Sequence, residues 1–175
     1  INLNIVNSHI TNISIALKEV AENVTIYFEK LPEKPPNVPR PPGLVYAYHE
    51  ISVSISKEAL KGANITFWVS KEWLTANGIT ADNVVMLRYY VEKWEELPTG
   101  CIGENATHFK FVAETSGFSV FAIAAREIPT SISISVTPAK VAVGEKVVVK
   151  GSIQPAMSVP LKLMITEPDR TTKTM

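Results

Sequence analysis

Apolar and polar residues alternate with a period of two along much of the chain. In INLNIVN, Ile1, Leu3 and Ile5 alternate with Asn2 and Asn4. In TNISIALK, Ile13, Ile15 and Leu17 share one face, and in NVTIYFEK, Val24, Ile26 and Phe28 do the same. Successive side chains of a strand point to opposite faces, so this spacing predicts half-buried strands. VYAYHEISVSI continues the series, followed by ANITFWV with Ile65, Phe67 and Val69 inward. VVMLRYYV and KWEEL read as strands joined by a tight turn at Glu92-Lys93, and THFKFVAE and FSVFAIAA as the last pair. FSVFAIAA carries apolar residues on both parities. That pattern predicts a central strand covered on both faces.

Three stretches interrupt the alternation. SKEALKG and SKEWLTANG predict two short helical segments, opened by Ser56 and Ser70 and stopped by Gly62 and Asn77-Gly78. LPEKPPNVPRPPG, Leu31 to Gly43, contains six prolines. Proline has no amide hydrogen for a ladder, so an extended crossover is expected, a semi-rigid spacer rather than a polyproline ligand. A second unit starts near Glu127-Ile128-Pro129, where a hinge is expected. SISISVTP, a turn at Gly144-Glu145, a strand through Val147 and Val149, and VPLKLMIT follow. That order resembles the first half of an immunoglobulin-like sandwich, which needs about seven strands over about 100 residues. The expected fold is all-β: a β-sandwich module over 1–126, then an incomplete immunoglobulin-like unit over 127–175. Such a unit leaves an open edge. Continuation of the chain covers it, or a strand donated by a neighbour, for which INLNIVN is the candidate donor.

Composition narrows the function classes. Lys plus Arg and Asp plus Glu each number 17, so the net charge is zero and no basic footprint for nucleic acid appears. Asp occurs only at Asp82 and Asp169, too sparsely for a calcium loop. Cys101 is the one cysteine and cannot form a disulfide within the chain. Gln occurs once, at Gln154, beside plentiful Glu and Lys, a lean toward a thermophile. Apolar runs are far shorter than the roughly 20 residues of a membrane helix, so no transmembrane segment is expected. A chain beginning at Ile1 without a basic, apolar leader fits a mature secreted protein or a fragment.

Candidate chemistry is sparse. His9, His49 and His108 show no metal-ligand spacing and read as surface or strand residues. Glu95 and Glu96 are neighbours in a strand and point to opposite faces. Cys101 has no evident His or basic neighbour to activate it. Trp68, Trp73 and Trp94, with Tyr46, Tyr48, Tyr89 and Tyr90, are aromatic enough for a carbohydrate platform, but such residues suit strands anyway. No catalytic, metal or cofactor site is expected. One pattern exceeds background. The acceptor triplet Asn-x-Ser/Thr starts at Asn12, Asn23, Asn64 and Asn105, against roughly one or two expected by chance. In the first three the middle residue has the buried parity, so Asn and hydroxyl face water, where N-linked glycans can be attached.

GLVYAYHEI, ANITFWVSKEWLTANGI, NVVMLRYYVEKWEELPT and ETSGFSVFAI occur in this order, after ENVTIYFEKLPEKPPNVPRPPG. Together these blocks resemble the PGF-pre-PGF domain, a module of archaeal surface and secreted proteins, over about residues 1–126. Gly117 and Phe118 match the tripeptide that names that family, while Ser116 stands in place of its proline. The resemblance implies an exported, glycosylated archaeal surface protein and carries over no catalytic residue. The expected function is a non-enzymatic structural protein of the cell surface: an S-layer, filament or adhesin building block that associates with itself or with other surface proteins. The alternative is an accessory or carbohydrate- or peptide-binding module of a larger extracellular hydrolase.

Overall fold

The computed structural model describes residues 1–126, 131–137, 145–154, 164–166 and 172–174. The chain divides into two compact units, Ile1–Glu127 and Ile128–Met175. Residues 128 and 129, the expected hinge, and Gly144 of the expected turn lie outside the described residues.

The first unit is a sandwich of two five-stranded antiparallel sheets. The front sheet runs β1 (Asn2–Asn4), β2 (Ile10–Leu17), β5 (Leu60–Ser70), β9 (His108–Thr115) and β8 (Thr99–Glu104) from edge to edge. The back sheet runs β3 (Ile26–Leu31), β4 (Leu44–Val53), β10 (Val120–Ala125), β6 (Val84–Tyr90) and β7 (Lys93–Leu97). The inward parity of each strand fills the space between them. Ile13, Ile65, Phe67 and Phe111 from the front meet Ile51, Met86, Phe121 and Ile123 from the back, all essentially inaccessible to solvent. Ile65, Phe67 and Val69 point inward as their spacing requires. The expected all-β architecture is present.

Local signals behave unequally. Ser70 caps α1 (Lys71–Ala76), its hydroxyl accepting from the Trp73 amide, and Gly78 follows at φ 64°. SKEALKG forms only a turn, in which the Ser56 carbonyl accepts from the amides of Ala59 and Leu60. Gly62 lies inside β5, opposite Ala16, and stops nothing. The β6–β7 turn sits one residue earlier than expected, at Val91-Glu92, both with positive φ. That is the primed two-residue turn that matches strand twist, even though a β-branched residue is strained there. THFKFVAE and FSVFAIAA are not partners: they become β9 and β10, in opposite sheets. INLNIVN belongs to its own domain. Its β1 pairs with β2, and Ile1 and Ile15 exchange backbone hydrogen bonds, so it is not a free donor strand.

The proline-rich segment is a hairpin loop rather than a crossover. β3 and β4 are direct antiparallel neighbours, closing with Leu31 opposite Tyr48. Residues 32–43 fold back over the outer face of the back sheet. Trp94 Nε1–H donates to the Pro39 carbonyl at 2.8 Å, and Pro42 approaches Val85 and Leu87. Beneath lies a second apolar cluster of Val85, Leu87, Ala122 and Ala124, flanked by Val45, Tyr48 and Trp94. This is why FSVFAIAA is apolar on both parities: Phe121 and Ile123 face the sandwich, Ala122 and Ala124 the loop side.

The second unit contains β11 (Ser131–Thr137) paired with β12 (Val148–Gln154), and β13 (Met164–Thr166) paired with β14 (Thr172–Thr174). The alternation of SISISVT survives as a two-faced ribbon. Ser133 and Ser152 share a hydrogen bond on one side, while Ile132, Ile134 and Val136 are exposed on the other.

The SGF stretch explains its own residues. Thr115 Oγ1 donates to the Gly117 carbonyl at 2.7 Å, and the buried Arg88 guanidinium lies against the turn. Arg88 reaches Glu95 at 3.0 Å, caps the Thr115 and Ser116 hydroxyls and stacks over the Tyr90 ring. A Cβ on Gly117 would stand 2.7 Å from Arg88 Nη1. The glycine is therefore required by a pinned guanidinium. Gly117→Ala should cost about 1–2 kcal/mol, as overpacking does, and far less in an Arg88→Met background. Denaturant unfolding of the four proteins reads this coupling. Strictly additive costs would contradict the clasp.

Candidate functional site

The four acceptor asparagines fall into two structural kinds. Asn12 and Asn64 lie on β2 and β5, interior strands of the front sheet. Their middle residues, Ile13 and Ile65, are opposite each other and fully buried. The flanking positions therefore emerge on the outer face, where the two triplets meet reciprocally. Asn12 stands opposite Thr66, and Ser14 opposite Asn64. Neighbouring strands extend the polar rows, with Asn4 beside Asn12, Asn2 beside Ser14 and Glu114 beside Asn64. Asn12 is half-buried and its amide donates to Asn4 Oδ1 at 3.0 Å, while Asn64 is exposed.

Asn23 and Asn105 lie in connections. Asn23 was expected on a strand, but β3 begins only at Ile26, and Asn23 occupies an exposed bend at φ 55°. Asparagine tolerates that left-handed conformation better than most residues. Asn105 sits at the exposed tip between β8 and β9. Its Oδ1 accepts from the amides of Thr107 and His108 at 2.9 and 2.8 Å, an Asx-type turn that leaves Nδ2 toward solvent.

The histidines depart most from their sequence spacing. β4 turns Ala47, His49 and Ile51 inward, so His49 is a strand residue as expected, and it is entirely buried. The loop ahead of β2 brings His9 to it, with ring centroids 5.8 Å apart. A β-bulge at Tyr46, opposite the Ile123/Ala124 step, swings that ring between His9 and Trp73, at 4.7 and 4.9 Å. Ser8 Oγ lies 3.3 Å from His49 Nε2, and the Nδ1 atoms of both histidines are buried without a protein partner. His108 is elsewhere, against Thr107 at 2.8 Å. Among the described residues no three of His, Cys, Asp and Glu are grouped to hold a metal. Forty residues of separation hide the His9–His49 contact from any spacing rule; only the inward parity of His49 hinted at it.

The remaining candidates stay apart. Glu95 pairs with Arg88, and Glu96 with Arg126 on the opposite face. Cys101 is exposed, its Sγ 3.6 Å from the Gly103 carbonyl. Trp94 lies tilted against Tyr89, Trp73 against Tyr46, and Trp68 under Lys110, so the three tryptophans sit in separate contacts. Among the described residues, no helix is long and apolar enough to cross a membrane. The class defined by fold and site is a β-sandwich with acceptor triplets on one open sheet face. Comparisons with family models, curated proteins and solved structures find no match.

The histidine pair makes the fold acid-sensitive. Burial first, then His9 and Lys30, lowers His49 to about 3 from 6.5. His9 is also held below its ordinary value, by burial first, then Lys30 and His108. Beside burial, the groups that disfavour the charged form of His49 are a second imidazole and a lysine. The unfolded imidazole binds a proton as pH falls below its ordinary value while the buried one stays neutral, so stability is lost on the acid side. His49 alone should remove about 2 kcal/mol between pH 7 and pH 5. His49→Leu should flatten the urea-unfolding profile over that interval. An equally steep profile in the variant would contradict this assignment.

Proposed function

We propose that the chain is a non-enzymatic structural module of an extracellular, cell-surface glycoprotein, a building block of an S-layer, filament or adhesin. The observation that carries this reading is the reciprocal placement of the Asn12 and Asn64 triplets on a polar sheet face. That face is shaped for water, not for burial against another layer, whereas the back sheet is closed by its proline loop. Two further acceptors on exposed connections extend the hydrophilic shell. N-linked sugars suit such positions because they are bulky and solubilising. The resemblance of residues 1–126 to the PGF-pre-PGF domain supports an archaeal, exported setting.

The second unit supports association. Ile132, Ile134 and Val136 present an apolar row that a two-stranded ribbon cannot bury by itself. Self-association, or docking with other surface proteins, gives such a row a role. The rival reading, an accessory module of an extracellular hydrolase, has no observation of its own to favour it.

Labelling of intact cells with a membrane-impermeant amine reagent tests the location. The protein should be labelled and should sediment with the cell envelope, with sugars on at least two of Asn12, Asn23, Asn64 and Asn105. Protection from the reagent until lysis, with no sugar at any of the four, would overturn the proposal.

A further inference from the structure

The outer face of the front sheet is not flat where the Asn64 triplet emerges. A groove of about 570 Å³ lies there, between the β2–β5 and β5–β9 pairings and the Leu97-Pro98 link that enters β8. Asn64 itself lines it, with Ser14, Gly62, Glu114 and Ser116, and Lys61 adds a cation. Gly62 keeps the floor low, since no side chain rises there. The size falls within the range of sites that hold small ligands, and the walls combine hydroxyl, carboxylate and ammonium groups with apolar Ala16 and Pro98.

We infer that Asn64 is the occupied member of the reciprocal pair and that the first sugars of its N-linked glycan lie in this groove. The inference rests on the surface-glycoprotein reading above and adds which site is used and where the sugar goes. Two observations separate Asn64 from Asn12. The Asn12 amide nitrogen, the atom that would carry a sugar, is already hydrogen-bonded to Asn4 and half-buried. Asn64 is exposed and opens directly into the groove. The two acceptors are diagonal neighbours on adjacent strands, roughly 7–8 Å apart, so one glycan crowds the other. Glu114 accepts from sugar hydroxyls, Ser14 and Ser116 donate or accept, and Pro98 offers an apolar wall to a ring face.

The linkage forms when Asn64 Nδ2 replaces a phosphate leaving group at the anomeric carbon of an activated sugar donor. The N–C bond forms, the C–O bond to phosphate breaks, and the amide proton ends on the departing phosphate. A separate glycosyltransferase supplies that step.

The test uses protein purified from the cells that make it. Site-resolved glycopeptide mass spectrometry should find Asn64 occupied and Asn12 bare. Carbodiimide labelling of Glu114, referenced to the exposed Glu22, should be about tenfold slower in this protein than in Asn64→Gln or Thr66→Val, which remove the triplet through different atoms. A glycan on Asn12 with Asn64 bare overturns the inference. So does an occupied Asn64 with unchanged Glu114 labelling. Sugars only on Asn23 or Asn105 overturn it while leaving the surface-glycoprotein reading intact. Bare asparagine at all four positions overturns the inference, and bare asparagine together with protection from the surface label overturns both.

Discussion

The two-sided burial of β10 is the constraint on which the first unit depends. This strand hydrogen-bonds to β4 on one side and β6 on the other, so its register aligns both with it. Phe121 and Ile123 fill the sandwich, and Ala122 and Ala124 lie in the second apolar cluster. Small side chains on that second face let the proline loop come close. The loop has few amide hydrogens to offer, so it is held by side chains instead, above all by the Trp94 indole on the Pro39 carbonyl. Proline stiffness lowers the entropy such a long hairpin loop would lose on ordering.

The asymmetry of the two sheets follows. The back sheet is apolar inside and, along β6 and β10, apolar outside as well, where the proline loop covers it; the front sheet is apolar inside and amide- and hydroxyl-rich outside. That contrast gives the front face its role in the proposed surface module. The same packing creates the unit's weak point in acid. Burying His49 beside His9 and Lys30 is tolerable only while the imidazole is neutral. At the opposite pole of cost, Arg88 is buried as a cation and compensated by Glu95, two hydroxyls and the Tyr90 ring. A buried charge needs such partners, and Gly117 is the space they require.

Much of this was legible in the sequence. Period-two alternation located β2, β3, β5 and β9, because one face of each is wet and the other dry. The unbroken apolarity of FSVFAIAA marked a doubly covered strand for the same reason. What failed was long-range or weakly coded. β8, in PTGCIGE, has no alternation because its residues are almost all exposed, and its place is set by pairing with β9. The proline run could not announce whether its flanking strands were neighbours. Val91 at positive φ contradicts local preference, and strand register overrides propensity there, which places the turn one residue before the one the sequence suggests. In the candidate site, the outward parity of Asn12 and Asn64 was readable, but not their reciprocal register or the groove beside Asn64. Those depend on which strands pair.

Native-state amide hydrogen exchange tests the central claim about β10 most directly. The amides of Phe121, Ala122 and Ile123 should exchange only through global unfolding, orders of magnitude more slowly than those of the exposed edge strand β8. Exchange of β10 at rates matching Thr99–Glu104 would contradict the account, because a strand paired on both sides and covered on both faces has no local route to water.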